Sequence, residues 1–181
     1  MEKQIKKSYA VYAAWNVDKE EMALDQQSRN GWQLIKGGCF HTAYQKDTTC
    51  QYRHKIDYNP DAIGSKTEKE RYVGFFESQG WEYINSTYNG WNYFKKKYDP
   101  TLPAGEYEIY SDQASYNEMV TRWLRLGRAL QFMEGILGLV CLYDVIFARQ
   151  YSDILPVILA AAIVVWLQCG MQKMKERINK T

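Results

Sequence analysis

Four residues of this chain carry the side chains of a metal site: Cys39, His41, Cys50 and His54. Two thiols and two imidazoles are the donor set of a structural zinc centre. Their spacing argues against one. If 39–45 and 50–56 form a tight hairpin about Asp47, Cys39 lies about 17–20 Å along the strand from the position facing Cys50. That gap forbids four ligands on one ion, and it forbids a Cys39–Cys50 disulfide, whose Cα atoms must lie within about 7 Å. His41 and His54 would face one another in that hairpin, but two histidines lack further ligands. The expectation is two partly buried sheet histidines, no metal and no cofactor. No G-x-S-x-G, P-loop, H-E-x-x-H or C-x-x-C pattern occurs. Glu20-Glu21 and Glu68/Glu70 read as exposed helix starts. With no nucleophile–base pair, the sequence predicts no catalytic residues and no enzyme.

Aromatic residues are dense, with 15 Tyr, 6 Trp and 6 Phe in 181 residues. The runs Tyr52-Arg53-His54-Lys55 and Trp91-Asn92-Tyr93-Phe94-Lys95 interleave rings with basic groups, the make-up of a base-stacking platform. Charge speaks against nucleic acid. Residues 1–112 hold 15 Lys/Arg and 16 Asp/Glu, a net of −1, and the whole chain carries only +2. A sheet face bearing Trp32, Tyr52, His54, Trp81, Trp91 and Tyr93 is better suited to a protein partner or a small apolar ligand.

The elements that would position these residues follow from an internal repeat. Gly31-Trp32-Gln33-Leu34-Ile35 is echoed by Gly80-Trp81-Glu82-Tyr83-Ile84, and without gaps Tyr44-Gln45-Lys46 falls on Tyr93-Phe94-Lys95. The repeated stretches are 18–46 and 67–95. Each Gly-Trp follows a helical segment: Asp18–Asn30, with Asp18 as N-cap, and Ser65–Gln79, with Ser65 and Glu68 at capping-box spacing. Both glycines sit where a helix ends in the left-handed conformation. Further strands are predicted at Tyr9–Trp15, Thr49–Tyr58 and Glu106–Tyr110. The fold class is α+β: an antiparallel sheet with both helices on one face, of ferredoxin-like character. Ser111 or Asp112 caps an amphipathic helix over 113–126.

The mean hydropathy of −0.52 averages two unlike parts. Ala129–Ala148 and Ile154–Met171 are long apolar stretches, the first interrupted by Gln131, Glu134 and Asp144, the second only by Gln168. At 1.5 Å per residue each covers about 27–30 Å, the thickness of a bilayer core. The second is apolar all round, with no stripe to face water. The pair reads as a transmembrane hairpin over 127–172. Arg122, Arg125 and Arg128 precede it, and Lys173, Lys175, Arg177 and Lys180 form a basic tail over 173–181. The positive-inside rule then places both termini in the cytoplasm of a plasma-membrane protein. Basic residues Lys3, Lys6 and Lys7 are not followed by an apolar run, so no signal peptide is read, and residues 1–112 are expected in the reducing cytosol. Within the spans, Gln131, Glu134 and Gln168 lie at similar depth and predict a hydrogen-bonded seam, inside one hairpin or between copies.

The Gly-Trp units, Tyr93-Phe94-Lys95, and Glu108-Ile109-Tyr110-Ser111-Asp112 before an amphipathic helix resemble a Gram-positive bacterial family built on a domain of unknown function. The resemblance covers roughly residues 8–125. Its members commonly pair such an α+β domain with a membrane hairpin, and they are often encoded beside PadR-type transcriptional regulators. The resemblance supplies no catalytic residues. It implies a regulatory or accessory role, so the sequence predicts a membrane-anchored adaptor or sensor whose partner is a protein, by that association a transcriptional regulator. The alternatives are a small subunit of a membrane transporter or other complex, and a small-molecule-binding domain. Homo-oligomers through the hairpin are a further expectation.

Overall fold

The computed structural model describes residues 4–179. Lys3 and Lys180, which the sequence reading placed in basic termini, lie outside the described residues. The chain divides into two compact units, Met1–Ser115 and Tyr116–Thr181.

The first unit is α+β and contains two three-stranded antiparallel sheets. In chain order its elements are β1 (Ile5–Ser8), α1 (Val17–Arg29), β2 (Trp32–Lys36), β3 (Thr42–Lys46), β4 (Tyr52–Tyr58), a short α2 (Asp61–Gly64), α3 (Lys66–Glu77), β5 (Glu82–Ser86) and β6 (Trp91–Lys97). Strand order is β1-β3-β2 in one sheet and β4-β6-β5 in the other. Each half therefore runs strand, helix, strand, strand, and in each the last strand lies between the other two.

The two sheets share one register. Ile5↔Gln45 and Ser8↔Thr42 in the first correspond to His54↔Lys95 and Asp57↔Asn92 in the second. Leu34↔Tyr44 and Lys36↔Ala43 correspond to Tyr83↔Phe94 and Asn85↔Tyr93, with a bulge at the same place in each hairpin. Tyr44 thus matches Phe94, not Tyr93. The second hairpin has one more residue in its turn, which a gapless alignment cannot see.

Several local expectations change. The hairpin 39–45/50–56 does not form, because β3 pairs with β1 and β2 while β4 pairs with β6. His41 and His54 consequently do not face one another. The first strand is Ile5–Ser8 rather than Tyr9–Trp15, and 3-10 turns occupy Ala14–Asn16 and Ala104–Tyr107 where strands were predicted. The strands divide between two sheets, so the single helix-covered sheet is not formed. Local alternation identifies a strand but does not choose its partner. Helix α1 starts after Asn16, and neither Asn16 nor Ser65 makes a side-chain cap bond. Asp112 does cap: its Oδ1 accepts the N–H of Ser115 at 2.8 Å.

Both Gly-Trp junctions adopt the expected geometry. Gly31 and Gly80 have φ of +75° and +83°, the region where a side chain is strained. Beyond each glycine a lysine lies over the tryptophan: Lys46 over Trp32 at 4.9 Å and Lys96 over Trp81 at 5.8 Å. The core under α3 is built from Phe76, Trp81, Phe94 and Ile109, with Tyr72, Tyr83 and Tyr110 packed on it. Phe94 is fully enclosed, with ring centroids of Phe76 at 4.7 Å and Tyr83 at 5.5 Å. Burying one such ring stabilises by about 1.5–3 kcal/mol.

The second unit holds most of α4 (Gln113–Ile146) and all of α5 (Ile154–Asn179), antiparallel and joined by a short connection in which Arg149 has φ +55°. A Cβ on Gly138 would lie 3.2 Å from Ala160 Cβ, so the backbones approach closely there. Both helices are long and apolar enough to cross a membrane. None of the most apolar stretch of α4 is buried, and only 22% of that of α5.

Candidate functional site

The six residues expected on an open sheet face are divided between the sheets and mostly enclosed. His54, Trp81, Trp91 and Tyr93 are buried, while Trp32 and Tyr52 are half-buried. Trp32 lies in the first sheet, with Lys6 at 5.4 Å from its ring. Tyr52 sits under Lys95 Nζ at 4.7 Å. Trp91 packs on Tyr58 with ring centroids 5.0 Å apart. Tyr93 donates its hydroxyl to Glu20 Oε1 at 2.8 Å, and burial, followed by the Glu20 charge, pushes that phenol far up. These rings build the interior rather than a platform.

Most of the charged chemistry gathers where α1 meets β4. As an edge strand, β4 turns the N–H groups of Tyr52, His54 and Ile56 away from β6, and no neighbouring strand receives them. Side chains of α1 receive them instead. Ser28 Oγ accepts from Tyr52 N at 2.7 Å, Asp25 Oδ1 from His54 N at 2.8 Å, and Glu21 Oε1 from Ile56 N at 2.9 Å. Residues 21, 25 and 28 rise along one helix face by about 5.4 Å per turn, close to the roughly 6.6–6.8 Å between alternate strand residues. The helix serves as a third strand made of side chains.

Charges reinforce this seam. Asp25 Oδ1 also lies 3.1 Å from His54 Nδ1, and Arg53 Nη1 reaches Asp25 Oδ2 at 2.9 Å. Burial pushes the Asp25 carboxyl up, but hydrogen bonds from His54 and Arg53 outweigh it and hold the pKa below the usual range. The ionised carboxylate only accepts, so His54 carries a proton on Nδ1. His54 Nε2 is buried and has no hydrogen-bond partner among the described residues. Lys55 Nζ bridges Glu21 at 3.2 Å and Glu108 at 2.9 Å. Burial raises Glu21 to about 7 despite Lys55. Glu20 and Glu21 are therefore half-buried structural groups rather than exposed helix starts. The Asp25–His54 pair resembles a catalytic dyad, but its imidazole is enclosed, and its bonds are spent on holding β4. Periodic acceptors at 21, 25 and 28 beside an alternating strand were the sequence signal for this seam.

Among the described residues, no group of three His, Cys, Asp or Glu side chains could hold a metal ion. Cys39 donates to Asn89 Oδ1 at 3.3 Å, and His41 lies 6.2 Å from the Tyr9 ring.

Four of the most exposed apolar groups of the first unit lie on its turns and connecting segments. Tyr9 and Val11 lie on the segment after β1, Phe40 on the β2–β3 turn and Tyr88 on the β5–β6 turn, each about 70–80% exposed (71%, 69%, 69% and 78%). The Tyr9–His41 contact adjoins the first two segments, and the Cys39–Asn89 bond ties the two turns together. Asn85 strengthens that tie, accepting from Gly37 N at 2.7 Å and donating to Gly37 O at 2.9 Å. Exposed aromatic side chains held on braced turns form an apolar rim of the kind partners bury.

In the second unit Gln131 Nε2 donates to Gln168 Oε1 at 3.2 Å, closing part of the expected polar seam. Glu134 is half-buried one turn further along, and among the described residues no hydrogen-bond partner faces it.

A family model described as "Protein of unknown function (DUF2812)" matches residues 16–131, from just before α1, through both hairpins, into α4. No curated protein and no solved structure matches the chain. The matched residues are well over half of the sequence, and the chain belongs to the DUF2812 family of proteins of unknown function.

Proposed function

We propose that this protein is a membrane-anchored adaptor or sensor, whose α+β unit stands in the cytosol and captures a protein partner on the rim of Tyr9, Val11, Phe40 and Tyr88. The observation that carries the reading is the pair of span-length helices whose most apolar stretches find little cover within the protein. Lipid is the solvent that such surfaces need. The arginines before the first span and the lysines after the second support cytosolic termini. The partner is a soluble regulator, in keeping with the regulatory association that the sequence resemblance implies. The shared register of the two sheets supports an origin of the α+β unit by duplication of a strand-helix-strand-strand element.

The full chain, tagged and purified from its own membranes, tests this. The expected result is retention in carbonate-washed membranes, protection of a cysteine placed beside Lys173 from an impermeant label outside the cell, and a soluble protein that co-purifies. Phe40→Ser with Tyr88→Ser should lose that protein. A chain released by carbonate, or a partner retained by the double variant, overturns the reading.

Glu134 favours a second reading. A carboxyl at membrane depth costs about 2.5–3.5 kcal/mol on insertion scales and normally faces protein or water. A larger membrane complex would supply that partner, and Glu134→Leu would then release the chain from it.

A further inference from the structure

The shared register permits a residue-by-residue comparison that exposes two unmatched surfaces. In the first half, α1 offers Glu21, Asp25 and Ser28 to the free edge of β4. The counterpart of α1 is α3, aligned through Gly31 and Gly80, and its corresponding positions are Glu70, Gly74 and Glu77. All three are exposed. Val73, which matches the fully buried Leu24, is only half-buried, and the neighbouring Phe75 is 60% exposed. The counterpart of β4 is β1, also an edge strand. Lys46 N donates to Gln4 O, so residues 4, 6 and 8 turn their backbone toward β3, and the N–H groups of Ile5 and Lys7 point outward. No hydrogen bond to those two outward groups is present among the described residues. One half thus has a helix seated on an edge, while the molecule also carries an unused edge and an unused helix of the same kinds.

We propose that β1 and α3 mate between two copies of this chain. The α3 helix of one protomer lies along β1 of the other, and a two-fold axis repeats the contact, so both surfaces are used at once. The internal α1–β4 seam supplies the template. Glu70 takes the place of Glu21, accepting from Lys7 N as Glu21 accepts from Ile56 N. Lys6, the match of Lys55, is held within its own protomer by Gln27 Oε1 at 2.9 Å, so the contact between copies lacks a counterpart of the Lys55–Glu21 bridge. Charges agree: β1 carries Lys6 and Lys7, and the α3 face carries Glu70 and Glu77. Gly74 leaves the middle of the helix bare, which permits the backbones a closer approach than at Asp25. Val73, on the same helix face as Glu70 and Glu77, provides the apolar surface that such a contact would bury. The assembly protects an edge strand that would otherwise invite uncontrolled pairing.

The test uses the full chain in detergent micelles, with a photo-crosslinking residue at Ile5 in a mixture of heavy- and light-isotope protein. Mixed-isotope adducts between position 5 and residues 66–77 are expected, together with a dimer in sedimentation velocity. Lys7→Pro removes the outward N–H together with the Lys7 charge, a change that edge strands accept, and should weaken the dimer at least tenfold. Glu70→Lys, on an exposed helix surface, should do the same while giving up only the long, exposed Lys66–Glu70 pair at 3.8 Å. It supplies the answer if Lys7→Pro fails to fold. A chain that stays monomeric at all concentrations, adducts confined to one chain, or a dimer indifferent to Glu70→Lys overturns the proposal.

Discussion

Tyr110 donates its hydroxyl to Asp57 Oδ1 at 2.6 Å, while Tyr72 donates to Oδ2 of the same carboxylate at 2.5 Å. Asp57 lies in β4, Tyr72 in α3, and Tyr110 two residues before the Asp112 cap of α4. One buried carboxylate therefore joins the second sheet, its helix and the segment that leads into the long helix. Burial, with the Asp57 charge beside it, pushes the Tyr110 phenol well above its ordinary value, so it remains a donor. Removing one hydroxyl leaves the carboxylate short of a bond and costs about 1–3 kcal/mol. Tyr110→Phe is expected to lower the denaturation midpoint by that amount, read from tryptophan fluorescence of the full chain. Combined with Asp57→Asn, the losses should be less than additive, because both act on the same bond.

The α1–β4 seam predicts a pH dependence with a definite sign. Burial raises Glu21 from 4.5 to about 7, so the folded state holds this proton more tightly than the unfolded state. Its contribution is complete below pH 4.5 and is lost as pH rises through about 7. Acidification from pH 8 to 5 should stabilise the protein by up to about 3 kcal/mol from this group. Glu21→Gln keeps the acceptor for Ile56 N and should remove much of that slope. Glu20, raised by burial, leaves a residual slope of the same sign. Denaturation midpoints across pH 4.5–8 measure the difference.

Asp25 has the opposite sign. Its carboxyl is held below the ordinary 3.8, so its contribution is present above that value and lost as pH falls through the folded pKa. Asp25→Ala unpairs the N–H of His54, its imidazole and Arg53 together. It should cost about 3–5 kcal/mol, the range for breaking a buried charged pair, at neutral pH. Retained stability in Asp25→Ala would contradict the seam.

The two left-handed glycines should differ in tolerance. Alanine at either incurs about 1–2 kcal/mol from its positive φ. At Gly31 the added Cβ also falls 2.6 Å from Thr48 Cγ2, whereas at Gly80 its nearest neighbour is the flexible Lys96 side chain at 3.5 Å. Gly31→Ala is therefore expected to lower the thermal midpoint more than Gly80→Ala, and equal effects would mean that Thr48 yields freely.

The hairpin makes a similar comparison possible within one helix. Gly138 packs against Ala160, while a Cβ on Gly135 meets open space. Gly138→Ile should separate the helices and promote thermal aggregation in detergent. Gly135→Ile should be nearly neutral in the isolated chain. Disruption by Gly135→Ile alone would show that a partner helix occupies that face.

Much of this protein is legible in its sequence where the physics is local. Gly31-Trp32 and Gly80-Trp81 mark helix ends because glycine alone enters the left-handed region without strain. The helices, the Asp112 cap and the two span-length apolar stretches follow from spacing and side-chain type within one or two turns. Tertiary structure decided the pairing. Ile5 meets Gln45 and His54 meets Lys95 across long loops, and no local pattern distinguishes these partners from a nearby hairpin. That choice placed Trp81, Trp91 and Tyr93 inside, and it set His54 on Asp25 rather than opposite His41. It also turned Glu21, Asp25 and Ser28 from an ordinary polar helix face into the cover of a strand edge, since a hydrogen-bond acceptor acquires its role only when a donor is brought to it.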